Sequence, residues 1–170
     1  MARPTLTDTD GMPLSSWNRH GSTLTIVWGV THDRDRAWRG LTDPSLVPRW
    51  LGEPLGWDLA VGGRVDVDHG SGAVSRSEVL RLEPPALLEM TWDFPDEPRS
   101  RVRVDLVHDD PARTCLTLEH VALRDDLVDD YRAGWMTHLS YFEAALDGTS
   151  LPRQQFWNLH ASFAALSRPH

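Results

Sequence analysis

The stretch DDLVDDYRAGWMTHLSYFEAALDG, Asp125 to Gly148, decides the architecture. Leu127, Tyr131, Trp135, His138, Leu139, Phe142 and Leu146 recur at steps of three and four, which aligns them along one face of an α-helix of about five turns. Asp125, Asp126, Asp129 and Asp130 crowd the N-terminal end, where the helix dipole favours negative charge. They read as a solvated helix start and lack the spacing of a calcium loop. Gly148 is a natural stop, because glycine takes the left-handed conformation that closes helices. A long amphipathic helix must lay its apolar face on something.

The preceding text supplies a sheet. In STLTIVWGVTH, Leu24, Ile26, Trp28 and Val30 alternate with Thr23, Thr25, Val27 and Gly29, the period-2 pattern of a half-buried strand. DRDRAWRGLTDPSLVPRWL then carries Ala37, Trp38 and Leu41 at helical spacing behind Asp33 or Asp35 as N-cap, and Asp43-Pro44 punctuates it into two short helices. From Trp57 onward strand follows strand. Val65 and Val67 alternate with Asp66 and Asp68 after a Gly62-Gly63 turn, and VSRSEVLRLE stops at Pro84-Pro85. Leu88, Met90 and Trp92, then Val102, Val104 and Leu106, then Leu116, Leu118 and His120 repeat the alternation. Hairpin-length turns between such strands demand antiparallel pairing. The order implies an α+β chain in which a curved antiparallel sheet wraps around the long C-terminal helix, with two short helices after the first strand. A curved sheet around one helix leaves a cavity.

Residues 1–21 lack periodicity and read as a flexible tail whose Trp17 docks on the body; residues 22–148 form the domain. Residues 149–170 form an extension with a second, weaker stripe, Phe156, Leu159, Phe163 and Leu166, expected as a short helix docking on its own domain or on a second subunit, which leaves a homodimer open.

At 170 residues the chain suits one domain that buries roughly 70% of its unfolded surface. Twenty-five acidic against 17 basic side chains, net −8, with no basic stripe, argue against nucleic acid. No run of about eighteen apolar residues and no secretory leader pattern occur, so no membrane span and a cytoplasmic location are expected. The single cysteine, Cys115, cannot pair within the chain and reads as a buried thiol in a strand.

Short segments also carry a resemblance. W-R-G-L-T-D-P at Trp38 to Pro44, R-W-L at Arg49 to Leu51, V-G-G at Val61 to Gly63, E-P-P-x-L-L-x-x-T-W at Glu83 to Trp92, T-x-L-T-L-E-H at Thr114 to His120 and G-W-x-x-x-L at Gly134 to Leu139 follow one another in order. Together they resemble the bacterial branch of the START-like (SRPBCC, birch-pollen-allergen-like) superfamily related to the activator of the ninety-kilodalton heat-shock protein ATPase, over about residues 22–148. The resemblance implies the helix-grip fold. Most of the motifs have a structural account: Gly62-Gly63 for a turn, Pro84-Pro85 as a strand stop, Gly134 for close approach of helix to sheet.

The resemblance further implies that the sheet face toward the helix lines a ligand pocket. The candidates are Trp28, Trp92, Val102, Val104, Leu118 and His120 from the sheet, Tyr131, Trp135, His138 and Phe142 from the helix, and Trp50 near the mouth. His120 continues an inward alternation and is read as a satisfied core histidine; a role as base is the alternative. His138 could meet His120 across the cavity, but Glu119 points away, no ligand-spaced motif is present, and neither metal nor other cofactor is expected. Ser71 and Ser75 lie in or beside a turn without a nucleophile elbow, and no glycine-rich turn opens a helix, so no catalytic residue is assigned. The expected function is binding or sequestering an apolar or aromatic small molecule, lipid- or polyketide-like, without catalysis. The alternatives are an aromatase/cyclase-like enzyme using His120 or Tyr131, and a co-chaperone-like or regulatory interaction domain.

Overall fold

The computed structural model describes residues 15–166. The chain runs β1 (Ser15–His20), β2 (Thr23–Val30), α1 (Arg34–Thr42), a 3-10 turn (Val47–Arg49), β3 (Glu53–Trp57), β4 (Arg64–Asp68), β5 (Val74–Glu83), β6 (Leu87–Trp92), β7 (Ser100–Asp110), β8 (Arg113–Val121), α2 (Val128–Leu146) and α3 (Phe156–Ala165). The strands form one antiparallel, eight-stranded sheet ordered β1-β2-β8-β7-β6-β5-β4-β3. This curved sheet grips α2, giving the α+β helix-grip architecture. Among the described residues no helix is long and apolar enough to cross a membrane.

Register turns the alternations into inward rows. Leu24 pairs with His120 and His120 with Val102; Ile26 pairs with Leu118, Leu118 with Val104 and Val104 with Leu88. A one-residue slip would turn each row outward, so burial of these side chains fixes the pairing. Cys115 belongs to the opposite face and is half-buried rather than buried, as its neighbours Leu116 and Thr114 take the inward positions.

Two further expectations are corrected. Residues 15–20, placed in a flexible tail, instead form β1 against β2, from Ser15 opposite Trp28 to His20 opposite Thr23. All six side chains are exposed, so no apolar alternation advertises the strand; backbone pairing and the turn at Gly21, with φ +57°, hold it. Trp17 does dock, with the Arg132 guanidinium 4.8 Å from its ring centroid. Residues 1–14 lie outside the described residues.

The second correction concerns close approach. A Cβ on Gly134 would meet nothing within 4 Å, whereas one on Gly40 would lie 2.7 Å from both Leu146 Cδ2 and Phe142 Cε2. Gly40, in α1, is therefore where two elements touch backbone to side chain, and Gly134 faces open space. Asp33 caps α1 by accepting from Arg36 N at 2.8 Å.

α3 packs on α2 through the half-buried Phe156, Leu159 and Phe163, and it has no fully buried residue. Polar fasteners reinforce it. Tyr141 Oη donates to Pro152 O at 2.6 Å, Arg132 Nη1 donates to Phe163 O at 3.2 Å, and His160 Nε2 lies 3.2 Å from Asp130 Oδ1.

Candidate functional site

A cavity of about 290 Å³ opens between α2 and α3, bounded by the loops at one end of the sheet. That volume is near the lower end of small-molecule sites, roughly 300–1,000 Å³. α2 contributes Tyr131, Gly134, Trp135 and His138; α3 contributes Phe156, Trp157 and His160. Trp50 and Leu51 arrive behind the 3-10 turn, His69 follows β4, and Trp92 with Phe94 ends β6. The rings form a continuous wall: Trp92 to Trp135 is 5.2 Å between centroids, Trp135 to His138 5.8 Å, His138 to Phe156 4.9 Å and His69 to Phe94 5.8 Å. The missing side chain at Gly134 contributes to the open volume.

Polar groups are interspersed among these rings, and several are committed to partners within the protein. His138 Nδ1 donates to Trp50 O at 2.7 Å, which fixes the tautomer and leaves Nε2 as the ring's acceptor. Burial pushes its pKa down to about 4, so the ring is neutral near pH 7. His69 Nε2 meets Ser75 Oγ at 2.8 Å, and burial lowers its pKa as well. Tyr131 Oη accepts from Trp92 Nε1 at 3.1 Å and donates to Glu97 Oε2 at 2.5 Å; burial first, then this carboxylate, raise the phenol pKa. The loop carrying Glu97 is clamped by Arg99, whose Nε and Nη2 donate to Asp93 at 2.8 and 2.7 Å.

His120 lies outside the cavity and is fully buried. Trp135 Nε1 donates to its Nδ1 at 3.0 Å, so the neutral ring carries its proton on Nε2 and donates to Ser100 Oγ at 2.7 Å. Ser100 Oγ in turn donates to Trp92 O at 3.3 Å. Burial brings the His120 pKa to about 3. The imidazole is thus a strut between the helix and the sheet that holds the Trp135 indole in the cavity wall.

Of the residues singled out from sequence, Trp50, Trp92, Tyr131, Trp135 and His138 meet around the cavity. Val102, Val104 and Leu118 lie deeper, facing a residual void of about 30 Å³. Trp28, His120 and Phe142 border neither space. Trp135 stands between His120 and His138, its ring centroid 6.0 Å from one and 5.8 Å from the other. Among the described residues no His, Cys, Asp or Glu cluster is set to hold a metal. Glu97, Phe94 and His69 escaped the sequence reading because loops carry no periodicity. Phe156 was legible as an apolar position, and only its role as a wall was missed.

Comparisons place this geometry among known proteins. Residues 31–147 match the family described as Activator of Hsp90 ATPase homolog 1-like protein. Among curated proteins none matches the chain. The solution structure of CalU16 from Micromonospora echinospora is similar at TM-score 0.74 and 21% identity, covering 94% of this chain and 95% of that one. DynU16, a protein in the dynemicin biosynthetic locus, is similar at TM-score 0.70 and 24% identity, covering 77% of this chain and 49% of that one. MLL2253 from Mesorhizobium loti is 31% identical at TM-score 0.66, covering 75% of this chain and 99% of that one. With the family match spanning residues 31–147 of 170, the chain belongs to the Activator of Hsp90 ATPase homolog 1-like family of the START-like superfamily.

Proposed function

We propose that this protein binds an aromatic or apolar small molecule in the cavity between α2 and α3 and performs no chemistry on it. The observation that carries the reading is a space of about 290 Å³ walled mainly by aromatic rings, several of whose polar groups are held by hydrogen bonds to the protein. Aromatic walls with polar atoms held in place between them are what a small-molecule site needs. A protein from a natural-product biosynthetic locus shares the fold, which agrees with a small-molecule role.

The cyclase-like alternative would call on His138 or Tyr131, and burial moves both away from the acidity it needs. A general base works best with a pKa near the operating pH, and His138, at about 4, binds protons too weakly. The Tyr131 phenol is shifted upward, which makes it a poorer acid. His120 has both ring nitrogens engaged and no access to the cavity. The interaction-domain alternative calls for a contiguous apolar patch, whereas the exposed large apolar residues Trp17, Leu55, Val61, Val107, Trp157 and Leu166 are divided among β1, β3, the β3–β4 loop, β7 and the two ends of α3.

Titration with a neutral two-ring probe, 2-(1-naphthyl)ethanol, tests the reading. Saturable heat and a rise in melting temperature are expected in the wild type and absent in Gly134→Trp, whose ring would occupy the cavity. No saturable binding by any of a panel of apolar and aromatic compounds, or a several-fold stimulation of a bacterial heat-shock ATPase, would overturn it.

A further inference from the structure

The cavity is electrically lopsided. Glu97 projects its carboxylate into it, and among the described residues no cationic side chain pairs with that group: Oε2 accepts from the Tyr131 hydroxyl, and Oε1 has no hydrogen bond. Arg124, a guanidinium that feels its charge, is committed to Asp126 through Nε at 2.5 Å and Nη2 at 3.1 Å. The positive end of the α2 dipole is close, but Asp129 and Asp130 in its first turn offset it. His69 and His138 are neutral and supply no compensating charge.

The two cations that border the cavity belong to its other end. Arg153 follows Pro152, whose carbonyl is held by Tyr141, and its Nη2 donates to Pro48 O beside Arg49. From Tyr131 to Tyr141 the helix rises about 15 Å, beyond the ~8 Å Debye length of physiological salt. Between the two ends lie Trp135 and His138 on α2 and Phe156 on α3. Around the acidic end stand the rings of Trp92, Phe94 and Tyr131, a kind of group whose π-faces attract cations.

Resting on the binding reading above, we infer that the ligand is an elongated arylalkyl amine: its protonated nitrogen sits at the Glu97 end among Trp92, Phe94 and Tyr131, and its rings lie along Trp135 toward Phe156. The free Oε1 lone pairs accept from the ammonium group, and Tyr131, donating to Oε2, holds the carboxylate in place. Charge-assisted hydrogen bonds of this kind are worth about a factor of ten in affinity over neutral ones.

Calorimetric titration of the full chain near neutral pH with three probes on one ring system decides it: 2-(1-naphthyl)ethylamine, 2-(1-naphthyl)ethanol and 1-naphthaleneacetate. The expected order is amine tightest, alcohol about tenfold weaker, and carboxylate weakest. In Glu97→Gln, whose amide oxygen still accepts from Tyr131, the gap between amine and alcohol closes. An alcohol that binds as well as the amine in the wild type, or a gap that survives Glu97→Gln, overturns the amine inference and leaves the cavity reading standing. Binding by none of the three overturns both.

Discussion

Gly134 and Gly40 make opposite predictions from the same substitution. Both lie in helices, so in each the change Gly→Ala relieves about 1 kcal/mol of backbone-entropy cost. At Gly134 nothing opposes that gain, because the new methyl meets no heavy atom within 4 Å. For a domain of this size, about 1 kcal/mol raises the melting temperature by roughly 2–4 °C. At Gly40 the methyl would lie 2.7 Å from Leu146 Cδ2 and from Phe142 Cε2, and Phe142 is fully buried with no room to yield. Overpacking of that kind costs about 1–3 kcal/mol, which cancels or exceeds the propensity gain. Differential scanning calorimetry of Gly134→Ala, Gly134→Leu and Gly40→Ala therefore gives a raised, a near-neutral or raised, and a lowered transition, respectively. Titration with the neutral naphthyl probe adds the functional half: Gly134→Leu weakens binding at least tenfold while the fold stays intact. A Gly134→Ala protein less stable than the wild type would refute the reasoning, since it would mean that the helix does touch a neighbour there. Undiminished binding in Gly134→Leu would place the ligand elsewhere.

Acid should destabilise the fold through its buried imidazoles: His120 and His138 titrate at about 3 and about 4 when folded, against about 6.5 unfolded, so below the latter value the unfolded chain binds more protons. Stability is then lost as pH falls from about 6.5 toward the folded values, by roughly 2 kcal/mol per imidazole at about pH 5, and His120→Gln should shrink the loss of urea-melt stability between neutral pH and about pH 5 by that amount, which flattens the slope. An unchanged slope would show that the imidazole is charged or hydrated in the fold. Removing residues 150–170 should lower the melting temperature and abolish probe binding, because Phe156, Trp157 and His160 wall the cavity; unchanged melting and binding would mark α3 as dispensable. Sedimentation of the same truncation tests the open homodimer, whose loss would appear as a fall in mass.

The fold was legible because its signals are periodic and redundant. The row Ile26, Leu118, Val104 repeats one alternation on strands that pair with each other, and the α2 stripe has only one apolar sheet to meet. β1 was hidden because an edge strand with every side chain exposed carries no such signal. The site was legible only in part, since alternation separates inward from outward but says nothing of depth. Val104 and Trp92 both face in, yet one is packed core and the other bounds open space. Gly134 illustrates the same limit: a helical glycine signals either contact or vacancy, and only the neighbouring atoms distinguish them.

Magnitudes indicate which part of the cavity sets selectivity. A two-ring ligand and the wall it covers each remove on the order of 200 Å² from water, and at about 25 cal/mol per Å² the gross gain is roughly 10 kcal/mol. Association costs of about 4–15 kcal/mol consume a large part of that or all of it, so apolar contact alone is worth a dissociation constant near the millimolar range or somewhat below. Rings alone therefore admit many compounds weakly. The contacts able to separate them are the placed polar atoms along the cavity: the Glu97 carboxylate steadied by Tyr131 at one end, and, midway along α2, the His138 Nε2 lone pair left free by its ring's bond to Trp50 O. His120 contributes at one remove. By accepting from the Trp135 indole and donating to Ser100, it keeps the central ring of the wall from turning, so that the distance between the acidic end and the rest of the aromatic wall stays fixed. Selectivity then depends on how well a ligand's charge and rings match that fixed span, and less on the total apolar area it buries.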